Sequence, residues 1–326
     1  MKSTFRGFAG ALALCTLFAF GADTARANGY PTKPVNLIVA YPPGGTTDTL
    51  ARILASRLST KWKQPVVVEN RVGAGGIIGT EAVAKAAPNG YTLLLGVAAT
   101  HAVNPAVFKN LPYDYIGDFT PISMAGVVPG VIAVKADSPA TSLAELVRLG
   151  KRTSLNYGTP SVGSMSHLVG ELFRQLSGIK MEHIPYKGSA PALTDLLGGH
   201  IQVLVDNLPP SLPYIREGKI RALAVTSPQR SPELPDVPTM IELGYSDFDL
   251  QGWFAVFGPK NLPKELASKI SADIAEVLID PAVKGQLASA GINSQSSTPS
   301  ELADRIRRDS ARMIDVAKHA GISLTP

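Results

Sequence analysis

Two short stretches of the chain concentrate the residue types that bind anions. Tyr41-Pro42-Pro43-Gly44-Gly45-Thr46-Thr47-Asp48 joins the apolar run Val35 to Ala40 to a segment with Leu50, Ile53, Leu54 and Leu58 at helical spacing. Gly44 and Gly45 permit backbone angles that other residues avoid and let a ligand approach the main chain. Thr46, Thr47 and Asp48 suit the cap of the following helix. A helix N-terminus with free N–H groups attracts anions. The second stretch, Gly158-Thr159-Pro160-Ser161-Val162-Gly163-Ser164-Met165-Ser166-His167, repeats the recipe of glycine, hydroxyls and a helix start. A carboxylate held between two such corners needs no arginine, because amides and hydroxyls supply the donors. Alone, each stretch reads equally well as a tight turn with a good cap. The pairing of the two favours a binding cleft.

Other chemistries lack their spacing. A nucleophile elbow needs G-x-S-x-G, and the glycine before Ser161 stands three residues away at Gly158. His167 belongs to the adjoining helix and reads as a capping or solvated side chain. The five histidines, His101, His167, His183, His200 and His319, show no metal-ligand spacing, and no metal or cofactor is expected. Gly73-Ala74-Gly75-Gly76-Ile77-Ile78-Gly79 misses the dinucleotide fingerprint because Gly79 comes one residue late. It reads as a flexible strand-to-helix turn that brings Gly75 and Gly76 near the cleft. These failures point away from an enzyme.

The elements that must position the two corners alternate in type. Strand-like Val66 to Val68 and Tyr91 to Val97 flank a helix over Ile77 to Ala87, which Pro88-Asn89-Gly90 ends. The pattern restarts near Pro121. Strand-like Ile132 to Lys135, Leu155 to Tyr157, Ile184 to Tyr186, Ile201 to Val205 and Ala222 to Thr226 alternate with helical stripes at Leu143 to Leu149, Leu168/Leu172/Leu176 and Ala192 to Leu197. A late strand, Gly252 to Phe257, precedes C-terminal helices with Leu302, Ile306, Met313 and Val316 on one face. Such alternation predicts an α/β fold of mostly parallel sheets flanked by helices. In open parallel sheets, ligands sit beyond the carboxyl ends of the strands, where both corners fall.

The N-terminus reads as an export signal. Lys2 and Arg6 precede an apolar run from Phe8 to Ala22, and Ala25-Arg26-Ala27 offers small residues for cleavage. The run is short for a membrane span and soon meets Asp23 and Arg26. Residues 1–27 are therefore expected to be removed, with Asn28 as the first mature residue, in the periplasm. The sole cysteine, Cys15, lies in this run, so the mature chain has no disulfide, thiol nucleophile or thiolate site. The net charge is +5, with basic residues scattered and aromatics few, so no nucleic-acid stripe is formed.

Taken together, the motifs resemble the Bug-type family, the substrate-binding receptors of tripartite tricarboxylate transporters. The resemblance rests on Tyr30-Pro31-Thr32-Lys33-Pro34, the Pro42 to Asp48 loop, and Val68-Glu69-Asn70-Arg71 followed by Gly73-Ala74-Gly75-Gly76. It continues through Pro88 to Leu94, His183-Ile184-Pro185-Tyr186-Lys187-Gly188, Asp195 to Gly199 and Arg221 to Thr226. It covers essentially the whole mature chain. Val72 stands where the family often has proline, and Thr46 is a position at which the family varies. The resemblance implies a two-lobed Venus flytrap of the periplasmic-binding-protein kind. Lobe 1 would comprise residues 28–125 plus 252–326, and lobe 2 residues 126–251. By position, Gly44, Gly45, Thr46, Thr47 and Asp48 would serve the first lobe, and Ser161, Gly163 and Ser164 the second. Thr100 and His101 would add a further strand-end loop. Asp206 ends a strand, as an acceptor for an amino or hydroxyl group or as a cap or hinge partner. Tyr41 and Tyr186 read as packing residues. The implied protein is a monomeric receptor for a small carboxylate, whether di- or tricarboxylate, amino acid or aromatic acid. It would serve the membrane subunits of a tripartite transporter. A membrane sensor as partner, or a periplasmic hydrolase, are the rival readings.

Overall fold

The computed structural model describes residues 29–246 and 248–324. The expected export signal, Cys15 and Asn28 lie outside the described residues. Among the described residues no helix is long and apolar enough to cross a membrane.

Two five-stranded sheets organise the chain. In the first, β1 (Val35–Val39) pairs in parallel with β2 (Val66–Asn70) on one side and β3 (Thr92–Val97) on the other. Next to β3 come β10 (Gly252–Pro259) and then β4 (Phe119–Val128), with β10 antiparallel to both. The second sheet contains β5 (Gly130–Lys135), β6 (Leu155–Thr159), β7 (Met181–Pro185), β8 (Val203–Asn207) and β9 (Ile220–Val225), in the order β7-β6-β8-β5-β9. Here β6 is parallel to β7 and β8, and β5 is antiparallel to β8 and β9.

The near-continuous apolar runs follow from burial on both faces. In β1, Ile38 enters one hydrophobic core while Val35, Leu37 and Val39 enter another. The helices that cover these faces include α1 (Thr46–Trp62), α2 (Ile77–Ala84), α3 (Asn104–Val107), α8 (Lys264–Ile279) and α9 (Pro281–Ser289) on the first sheet. On the second sheet lie α4 (Leu143–Arg152), α5 (Met165–Ser177), α6 (Ser189–Gly198) and α7 (Leu208–Arg216). The last helix, α10 (Pro299–Ala320), opens with a capping box of Thr298 and Glu301 and buries Leu302, Ile306, Met313 and Val316. It also reaches α5, where the Gln175 amide donates to the Val316 carbonyl at 3.4 Å.

Each sheet is parallel apart from one strand, and that strand is the one by which the chain arrives from the other sheet. Parallel strands end at the carboxyl edge. A chain crossing from one carboxyl edge to the other must start its next strand there, so it runs in the opposite direction. The crossings lie at Pro129, between β4 and β5, and at Gln251, before β10. Thr226 pins both: it exchanges hydrogen bonds with Gly130 at 3.0 Å each way, and its carbonyl accepts from the Leu250 amide at 3.2 Å. The sequence pattern does not signal α7, because Pro209, Pro210 and Pro213 read as breakers. Pro209 and Pro210 lie in the first turn and remove only N–H groups that would lack intrahelical partners anyway, while Pro213 lies inside the helix and does remove a donor.

Candidate functional site

The first corner hands β1 over to α1. Gly44 takes the left-handed conformation at φ +81°, which explains the glycine there. Gly45 is different: its φ is −79°, and an added Cβ would meet only the Pro42 carbonyl at 3.7 Å. Of the two glycines, then, only Gly44 is required by the backbone. No side chain caps α1. The amides of Gly45, Thr46 and Thr47, and both threonine hydroxyls, have no hydrogen-bond partner among the described residues. They are the orphan donors of a helix start, reinforced by its dipole.

Asp48 holds this arrangement from behind. It is 3% exposed and does not line the cleft. Its carboxylate accepts from the Gly44 amide at 2.9 Å, from Asn70 Nδ2 at 3.0 Å, and from Arg52 at 2.8 and 3.0 Å. Asn70 Nδ2 also donates to the Tyr41 carbonyl at 2.9 Å. The Arg52 guanidinium, with the Gly44 and Asn70 donors, holds the Asp48 carboxyl down at about 2 against the opposing effect of burial.

The second corner hands β6 over to α5. Gly163 is left-handed at φ +64°, and its amide donates to His167 Nδ1 at 3.0 Å. Ser164 is the cap: its hydroxyl donates to the Ser161 carbonyl at 2.9 Å and accepts from the His167 amide at 3.1 Å. That hydroxyl is therefore engaged within the protein. The Ser161 hydroxyl and the amides of Met165 and Ser166 have no partner among the described residues. Behind the loop, the rings of His167 and His183 stack at 3.7 Å. His183 Nε2 lies 2.7 Å from the Thr159 hydroxyl. Burial lowers both histidines, His183 to about 4, where the neighbouring His167 adds to the shift. The second corner is thus braced by neutral groups near pH 7.

Between the corners lies a cleft of about 880 Å³. Of the expected contacts, Gly44, Gly45, Thr46, Thr47, Ser161, Gly163 and Ser164 line it. Thr100, His101 and Asp206 are placed elsewhere. A π-helical turn, Ala99–Val103, follows β3 and turns Thr100 and His101 inward, so that both are fully buried. Thr100 Oγ1 donates to the Val97 carbonyl at 3.0 Å and lies 2.8 Å from His101 Nδ1. The His101 ring stacks on Phe257 at 4.0 Å and meets the edge of Phe119. Burial pushes its pKa down to about 3, so it stays neutral. Ala98, Ala99 and Asn104 line the cleft in their stead.

Asp206 is 1% exposed, and its Oδ1 accepts from the Asn207 amide at 2.7 Å. Burial raises its pKa to about 6, opposed by Ser189 and the Asn207 amide. It is Asn207, one residue on, that reaches the cleft. Tyr41 lines the cleft with its hydroxyl 3.4 Å from the Gly75 carbonyl, whereas Tyr186 is engaged with Asp195 at 2.6 Å. Gly75 lines the cleft. Gly76 packs beneath it, where an added Cβ would meet Thr100 at 2.9 Å.

The lining also includes residues that sequence reasoning missed: Phe108, Val128, Pro209, Pro210, Trp253, Phe254 and Leu324. Trp253 and Phe254 follow the crossing at Gln251, so an aromatic pair opening a crossing strand was the available signal. Leu324 carries no such signal. It arrives from the tail beyond α10, where its amide donates to the Val107 carbonyl at 2.6 Å.

This construction, two α/β units joined by two crossings around a cleft with paired helix starts, is that of a periplasmic solute-binding protein. The tripartite tricarboxylate transporter family receptor profile matches residues 50–322, and the chain belongs to that family. The protein BugT of Bordetella pertussis is 40% identical over 306 residues, covering 93% of this chain and 94% of BugT. Among solved structures, R. palustris Rpa4515 with adipate is 37% identical with a TM-score of 0.76, covering 90% of this chain and 100% of that one. MatC from Rhodopseudomonas palustris with bound malate is 30% identical with a TM-score of 0.70, covering 88% and 99%.

Proposed function

We propose that the chain is a periplasmic receptor that closes two lobes around one small carboxylate, releases it unchanged, and delivers it to the membrane subunits of a tripartite transporter. The lobes are the two sheets with their helices, so the first lobe runs to the end of β4 at Val128, three residues beyond the expected boundary at 125, and resumes at 252, with hinges near Pro129 and Gln251. The observation that carries this reading is the pair of helix starts, α1 and α5, with unpaired amides bordering one cleft. A carboxylate between them gains charge-assisted hydrogen bonds and both dipoles. Neither lobe alone surrounds it, so binding favours the closed population. Adipate in one relative and malate in another, both aliphatic dicarboxylates, support a carboxylate ligand.

Release without turnover is supported by the surroundings of Ser161: among the described residues no histidine is hydrogen-bonded to its hydroxyl, and His167 Nδ1 already accepts from the Gly163 amide. The test pairs native mass spectrometry of the exported protein with calorimetry and small-angle scattering. A retained or added carboxylate should bind at one per chain with compaction of the particle. Labelling of Ser161 by a serine-directed fluorophosphonate, or binding without compaction, would overturn the reading. Gene deletion that abolishes solute uptake, and leaves gene induction intact, separates a transporter partner from a sensor.

A further inference from the structure

We propose that the ligand carries its carboxylate on an uncharged, apolar body, and that Phe108 and Leu324 contact that body. The inference rests on the carboxylate-receptor reading above. Among the described residues, no Asp, Glu, Lys, Arg or His lines the cleft. The donors gather at the two corners, and the rest of the wall has a different character. A third helix start, that of α7, borders the cleft, yet it offers no amide donors there. Its Leu208 amide already donates to the Pro129 carbonyl at 2.8 Å, and Pro209 and Pro210 have no N–H. Beside them lie Val128, Trp253 and Phe254.

Polar side chains on this part of the wall are few. Asn104 Nδ2 is engaged with the Gly75 carbonyl at 3.3 Å, and Asn207, at the α7 cap without a side-chain cap bond, offers one uncharged amide. A second or third carboxylate pointing this way would lose water and find only the Asn207 amide as an unengaged side-chain donor, too few to replace its hydration. A hydrocarbon chain or ring would gain by burial.

Leu324 closes this wall from an unexpected direction. Its amide is anchored on Val107 of α3, and it forms a bridge with Phe108. A Cβ added to Gly163 would stand 2.8 Å from Leu324 Cδ1. The tail therefore sits between the first sheet's α3 and the second corner, and its leucine faces the cleft. The glycine at 163 makes room for it as well as permitting the left-handed turn.

The test is calorimetry of the exported chain with acetate, butyrate, hexanoate and octanoate, set against citrate. The expected result is tightening of about fourfold for each added methylene until the wall is filled, with citrate weaker than hexanoate. Leu324→Asp and Phe108→Ser, both at partly exposed positions, should flatten that rise. Citrate binding tighter than hexanoate, or no rise along the series, would overturn the apolar body while leaving the carboxylate receptor standing. No heat with any of these acids, citrate included, and no acid retained in native mass spectra, would overturn both.

Discussion

The two corners have the same form, a strand handed to a helix start beside the cleft, and are held by opposite means. At the first, a buried carboxylate, Asp48, ties the loop amide of Gly44 to Arg52 and Asn70. At the second, a serine cap and two stacked neutral histidines hold the loop. The ionic brace reaches outward: the Arg52 side chain is 56% exposed, while Asp48 is buried. The neutral brace is internal to its lobe. The difference teaches that a loop with unpaired amides at a helix start can be fixed either by charge or by packing. It also means the corners should fail under different insults.

The largest expected effect is at the charged brace. Asp48→Ala removes the acceptor for three groups and leaves the Gly44 amide and Asn70 without their shared partner. A loss of about 2–3 kcal/mol in stability is expected, read as a lower denaturant midpoint, with ligand affinity at least tenfold weaker by calorimetry. If Asp48→Ala binds as the parent does, the first corner does not depend on its brace.

The next effect separates the two adjacent glycines. Gly44→Val forces a β-branched residue to φ +81°, a strain of about 1–3 kcal/mol. Affinity should fall about tenfold or more. Gly45→Ala, with ordinary backbone and only the Pro42 carbonyl nearby, should stay within about threefold of the parent. Reversal of that order would relocate the strained position.

At the second corner, Ser164→Ala removes the cap of α5 and should cost about 1 kcal/mol, a fall of about 2–4 °C in Tm. Its hydroxyl already has two internal partners, so the affinity loss should be secondary to the loss of order. Ser161→Ala should show the converse, weaker binding with Tm unchanged. Equal thermal losses in both would mean that Ser161 is structural.

The smallest effect concerns acid. His183 has its folded pKa depressed to about 4 from 6.5, so it is held neutral when folded and takes a proton when unfolded. Its penalty is absent above 6.5 and grows as pH falls from 6.5 towards 4. His101, depressed to about 3, acts in the same direction. Asp48 behaves otherwise: its contribution is complete above 3.8 and is lost only as pH falls from there to about 2. Asp206, raised from 3.8 to about 6, opposes the two histidines as pH falls below 6 and offsets part of their loss, so Tm should drop between pH 6.5 and 4, less steeply in His183→Gln, and with the same slope in Asp48→Asn. A slope in that window that follows Asp48 rather than His183 would invert the comparison.

Much of the scaffold was legible because its signals are local. Burial on both faces wrote the apolar runs of β1 and β3, and the stripe of Leu50, Leu54 and Leu58 wrote α1. Glycine marked both corners because a left-handed turn constrains the residue type, and at the second corner the cap of α5 did the same for Ser164, whereas no side chain caps α1. The expected strand over Ile184 to Tyr186 lies at Met181–Pro185 instead, since Leu155 pairs with Met181 and that register is set by the partner strand. Likewise β4 starts at Phe119, ahead of Pro121, because its pairing with β10 is decided across more than a hundred residues of chain.

What the amino-acid sequence determined by itself was the alternation of elements, the two glycine- and hydroxyl-rich corners and the family the chain belongs to, all carried by neighbours in the chain. Tertiary structure alone decided which polar residues reach the cleft. Thr100 and His101 share a strand-end loop with Ala98 and Ala99, but a π-turn and the ring of Phe257 draw them inward. Asp48 stands beside Thr47, yet Asn70 and Arg52 hold it behind the loop. Leu324 enters the cleft because α10 delivers the tail to Val107, more than two hundred residues away in sequence. Side-chain direction and long-range delivery depend on packing against distant partners, and local residue patterns hold no record of them.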